Sequence, residues 1–116
     1  MANCDQGYLC DICGEEVESI GFSDLYLRFV TGLVSHQDLL SSPERHIQCN
    51  PITAQFIVDD DFPSVTVGGV FAKANLDPQY VAEQERLMTR GWQRLQELAA
   101  VSEPLPLAEY PLEEFR

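Results

Sequence analysis

Positive charge is scarce in this chain. Lysine and arginine number 7 against 19 aspartates and glutamates, for a net charge of -12 over 116 residues. So acidic a surface repels phosphate backbones and anionic lipids at long range, which makes nucleic acid an unfavoured partner. Long apolar runs are missing too. No stretch approaches the roughly 18 residues that span a bilayer, so no membrane segment is expected. The start, Met1-Ala2-Asn3-Cys4, has neither the basic stretch nor the apolar core of a secretory signal, and a soluble, cytoplasmic protein is expected. Signatures of common enzyme sites are also lacking. There is no Gly-x-Ser-x-Gly, no P-loop and no dinucleotide glycine fingerprint. Histidine occurs only 2 times and cysteine 4 times.

Four of those six residues fall into two pairs of identical spacing, Cys10-x-x-Cys13 and His46-x-x-Cys49. Two residues between donors let both reach one side of an ion. Three thiolates and one imidazole complete the tetrahedron of a closed structural zinc site. A reducing cytoplasm favours metal over disulfide for such cysteines. The candidate ligands are therefore Cys10, Cys13, His46 and Cys49, and the candidate cofactor is zinc. Cys4 is a further soft donor that could replace His46, although a mobile terminal thiol is the plainer reading. His36 has no partner at matching spacing and reads as an exposed loop histidine.

The two ligand pairs, followed by a helix start at Asn50-Pro51, resemble treble-clef and zinc-ribbon fingers. In those fingers a knuckle supplies two ligands and a later turn or helix start supplies two more. The resemblance covers only these ligand pairs and the helix after the second. The stretch between them reads as helical here, where a treble clef holds a hairpin.

Length sets one domain, assigned to residues 1–101, with a proline-rich tail over 102–116. Gly14 suits the knuckle because it accepts positive φ. Ser23 is an N-cap for a first helix carrying Leu25, Tyr26, Phe29, Val30 and Leu33. Ser35 caps a short second helix over 37–40. Ser42-Pro43-Glu44 reads as a helix start that puts His46 and Cys49 on one face at i, i+3. Residues 52–58 lean to helix. Val65, Val67, Val70 and Phe71 flank Gly68-Gly69 in the manner of a β-hairpin. Asp77 and Pro78 begin a helix to about Ala100, with Val81, Met88, Trp92, Leu95 and Ala99 along one stripe. Gly91 offers a close approach. The expected class is α+β and helix-rich, with Trp92, Leu95, Phe29, Val30, Phe56 and Ile57 in the core.

The expected function is non-catalytic: an acidic, zinc-containing module or adaptor for protein partners. Four protein ligands leave no open position for hydrolytic chemistry. The opposing reading is a thiol oxidoreductase using Cys10 and Cys13. Against it, no strong strand precedes Cys10, and Glu15 and Glu16 add charge that disfavours a thiolate. A nucleic-acid-binding zinc finger is a third reading, opposed by the net charge. Two segments offer themselves to a partner. The tail alternates Leu105, Leu107, Tyr110, Leu112 and Phe115 with acids and carries Pro104, Pro106 and Pro111. Alternatively, these side chains fold back onto the domain. The second segment is the helix face with Arg86, Arg90 and Arg94, which reads equally as a solvated face paired with Glu83, Glu85 and Glu97.

Overall fold

Ser23 opens the first helix as its hydroxyl chemistry dictates. Its Oγ accepts the Tyr26 N–H, which has no partner within the helix. In the computed structural model, which describes residues 8–103 and 105–115, this helix, α1, runs Asp24–Val30. Asp24, Leu25, Tyr26, Leu27, Phe29 and Val30 are all buried, so α1 is apolar almost all round and sits at the centre of the molecule. Asp24 is buried with it, held by Arg28 Nε and Asn50 Nδ2 at 3.0 Å each. Burial pushes its carboxyl above the usual range, against the pull of those two donors.

Helix α2, His36–Ser41, is capped by Ser35, whose hydroxyl accepts the Asp38 N–H. His36 is exposed, as its sequence context implies, but it lies in the first turn of α2 and not in a loop. Helix α3 is a single turn, Pro51–Ala54, shorter than the sequence leaning over 52–58. Helix α4, Pro78–Ala100, begins where proline at its first position and the Asp77 cap require.

The buried stripe of α4 is Met88, Gly91, Leu95 and Leu98, with Trp92 half-buried and Ala99 exposed. The stripe is turned from the expected one because Gly91, not Trp92, faces α1. A Cβ at Gly91 would lie 2.5 Å from Thr31 Cγ2 and 3.1 Å from Leu27 Cδ1. Thr31 cannot easily turn away, since its Oγ1 bonds the Leu27 carbonyl at 2.8 Å. Gly91→Ala should therefore destabilise by about 1–3 kcal/mol through overpacking, although alanine is the better helix former by about 1 kcal/mol. A raised thermal midpoint would show that the contact yields.

All six core residues expected from the sequence join one cluster. Leu95, Phe29, Val30, Phe56 and Ile57 are buried, and Trp92 packs against them half-covered.

Three sequence expectations are corrected. The first is the hairpin: among the described residues there is no β-strand, only isolated bridges of Leu9 with Glu16 and Ser23 with His46. The regular structure is helical, and the class is not α+β. Residues 69–71 and 73–75 form 3-10 turns instead. Gln55 explains this locally. Its amide nitrogen donates to the Phe71 carbonyl at 2.8 Å and its oxygen accepts the Lys73 N–H at 3.1 Å. The backbone groups that a partner strand would satisfy are taken by one side chain. Val70, 75% exposed, and Phe71, 57% exposed, have no second strand to cover them.

The second correction concerns Ser42-Pro43-Glu44, which does not start a helix. Residues 43–45 have no regular secondary structure and only Ile47–Cys49 makes a 3-10 turn. Left out of a helix, the segment gives the Arg45 carbonyl to Asp24 N–H and the Glu44 carbonyl to Asp11 N–H, at 2.8 and 2.9 Å. The third correction is to the first helix, which stops before Leu33. Gly32 takes φ 81 and turns the chain, leaving Leu33 exposed.

The tail folds back along α1 and α4. Leu112 is buried and its N–H donates to the Val30 carbonyl at 3.0 Å. Tyr110 lies 6.0 Å from Tyr26, centroid to centroid. Arg94 grips the same segment, donating to the Tyr110 carbonyl at 3.1 Å and the Glu109 carbonyl at 2.8 Å.

Candidate metal centre

The knuckle forms because Cys10-Asp11-Ile12-Cys13-Gly14 closes a turn on itself. Gly14 N–H bonds the Cys10 carbonyl at 3.0 Å, and Gly14 takes φ 77, a conformation a side chain would strain. Cys10 N–H reaches the Glu15 carbonyl at 2.8 Å, and Val17 N–H reaches Tyr8 at 2.8 Å. The Ile12 N–H then points at Cys10 Sγ, 3.4 Å away. The second pair lies on the 3-10 turn, with His46 as its cap and Cys49 as its last residue. The i, i+3 placement expected from the sequence is kept, although the helix is not.

Backbone and ion-pair contacts hold the two segments together. His46 N–H donates to Cys10 Sγ at 3.4 Å. Arg45 makes a two-pronged bond to Asp11, 3.0 and 3.1 Å, and holds that carboxyl below its usual range. The Asp11–Arg45 pair was not anticipated. Its legible signal was only that an acid in the first pair and a base just before the second lie next to candidate ligands.

As a result, Cys10, Cys13, His46 and Cys49 converge. Their ligand atoms all lie within 4.8 Å of one another, close enough to hold one metal ion. Cys13 Sγ and Cys49 Sγ stand 3.3 and 3.9 Å from His46 Nδ1. A tetrahedral ion with ordinary zinc bond lengths needs a sulfur–nitrogen edge of about 3.5 Å and a sulfur–sulfur edge of about 3.8 Å. The two sulfur–nitrogen distances bracket that edge, and the widest separation, up to 4.8 Å, would close by about 1 Å around an ion. His46 is also oriented as a ligand should be. Its Nε2 meets the Glu16 carbonyl at 2.8 Å, with Glu18 Oε1 at 3.5 Å. With Nε2 donating to that carbonyl, a neutral His46 would turn its Nδ1 lone pair toward the sulfurs.

Three of the four groups titrate far from their ordinary values. Burial raises the Cys10 thiol, yet N–H groups of Cys13, His46 and Ile12 outweigh it and lower it to about 6. Burial, and then the neighbouring Cys10 and Cys13 sulfurs, drive Cys49 up to about 12. Burial opposes the His46 imidazolium, but Cys10 Sγ, the Glu16 carbonyl and Cys13 Sγ raise it to about 9. A bound zinc would take Cys49 as a thiolate and His46 as a neutral imidazole, so both would give up their protons on binding.

Cys10 is 2% exposed, Cys13 is exposed, and Cys49 is partly covered. Cys4, the alternative fourth sulfur, lies outside the described residues. Among the described residues this is the one group of acids, cysteines and histidines with ligand geometry. No described helix is long and apolar enough to cross a membrane. No protein-family model, curated protein or solved structure matches this chain.

Proposed function

We propose that this chain is a non-catalytic zinc protein, a small acidic module that presents a metal-pinned surface to protein partners in the cytoplasm. The observation that carries the reading is the convergence of three cysteines and one histidine, with the histidine's far nitrogen on a backbone carbonyl. Four protein ligands fill a tetrahedron, so the ion would supply a fixed cross-link and no open position for substrate. Cys10 and Cys13 would anchor the knuckle. His46 and Cys49 would anchor the turn between α2 and α3.

The geometry supports this above a thiol oxidoreductase. A redox pair needs an exposed, low-pKa attacking thiol, commonly at a helix N-terminus. Cys10 has the lowered pKa but is buried in a turn, and no helix starts there. The charge of -12 weighs against a nucleic-acid finger. Elemental analysis of the native protein tests the reading, with about one zinc per chain expected. The same preparation should fail to reduce insulin disulfides. Robust reduction abolished by Cys10→Ser would replace this function with the redox one.

A further inference from the structure

A groove of about 840 Å³ opens beside the metal centre. One side is the ligand-bearing knuckle and the 3-10 turn with Cys49. The other is α4, where Trp92 and Gln96 face it. Its apolar lining comes mainly from Phe22, Phe62 and Trp92. Phe62, itself 8% exposed, backs Trp92 edge to face, centroids 5.6 Å apart and planes at 70°, so the half-buried tryptophan is the ring of the pair that opens to the groove. Phe22 is 52% exposed, an aromatic ring left in water at the groove. The charged lining is Glu15, Glu18 and Asp61, with no lysine or arginine among the lining residues. His46 also borders the groove, but its ring is committed to the sulfurs and the Glu16 carbonyl.

The other surfaces expected to take a partner are largely occupied from within, with Arg86 the exposed exception. The tail is seated on α1, and Arg94 is bound to tail carbonyls and Glu97. Arg90 pairs with Glu97 as well.

We propose that the groove receives a basic segment of a partner protein, seating an arginine or lysine side chain against Trp92 with its charge met by Glu15, Glu18 and Asp61. Aromatic faces attract a cation within about 6 Å of the ring centroid, most strongly at tryptophan and when water is excluded. Long basic side chains also carry apolar stems that would cover such rings. A lining that is acidic and aromatic, without lysine or arginine, selects against phosphate and against acidic peptides. The volume exceeds what one side chain fills and suits a short peptide stretch with apolar neighbours. This inference rests on the metal-pinned reading, because the metal fixes one wall of the groove.

The test uses the full chain, with its zinc counted in the same sample. The probe is a set of short synthetic peptides with degenerate flanks around a fixed central arginine, lysine, alanine or glutamate. Arginine and lysine pools should be retained at least about tenfold above the alanine and glutamate pools. Trp92→Ala should cut that retention by about tenfold. Because Trp92 is half-buried, Glu15→Gln with Asp61→Asn serves as the second variant, on two exposed carboxylates. It should keep the zinc and the thermal midpoint while weakening binding about threefold or more and flattening its salt dependence. Equal retention of the arginine and glutamate pools, or unchanged binding by the carboxylate variant, overturns the groove assignment. One zinc per chain with no selective retention rejects the groove alone, whereas no zinc rejects the metal reading whichever pool is retained.

Discussion

Cys13→Ser and Cys49→Ser should each cost about 4 kcal/mol or more, a larger loss than most single truncations of the apolar core. The ligands come from segments far apart in sequence, and an ion joining them binds only once the fold has brought them together. Its binding free energy then adds to folding free energy. Chelation of the unaltered protein should lower the thermal midpoint by a similar amount, and chelation of either variant should add nothing further. Cys4→Ser should change stability by no more than about 0.5 kcal/mol. Equal damage from Cys4→Ser would make Cys4 the fourth ligand in place of His46. Midpoints that ignore both chelator and cysteine substitution would leave the cluster without a metal.

Deleting residues 105–116 should be nearly as severe, with a loss of about 3 kcal/mol or more. Leu112 is 5% exposed and its N–H is paired to Val30. Removing it opens a cavity over α1 and strands that carbonyl. The ring of Tyr110 leaves Tyr26, and Arg94 loses two carbonyl partners. Urea unfolding measures this directly as a fall in midpoint. A truncated chain that keeps the full midpoint would mean the tail's contacts contribute nothing net. It would also return the tail to the role of a free recognition segment.

The cluster of candidate ligands was more legible in the sequence than the fold around it. Ligand chemistry is local: two pairs with the same short spacing name their own residues, and Gly14 declares the turn. Helix starts were legible for the same reason, since Ser23, Ser35 and Asp77 each accept a backbone N–H three residues on. What could not be read were long-range captures of backbone groups. Gln55 holds residues 71 and 73 in turns where valines and paired glycines imitate a hairpin. The Asp11–Glu44 and Asp24–Arg45 backbone bonds hold residues 43–45 out of a helix where Ser42-Pro43-Glu44 imitates a helix start. The tail was ambiguous in principle, because proline and leucine in alternation serve a bound ligand segment and a packed strap equally well.

X-ray absorption at the zinc edge of the native protein is the most direct test of the central claim. A shell of three sulfurs and one nitrogen, at about 2.3 and 2.0 Å, is the result expected from Cys10, Cys13, Cys49 and His46. Four sulfurs would replace His46 by Cys4. An oxygen ligand with fewer sulfurs, or no zinc at all, would contradict a closed structural site.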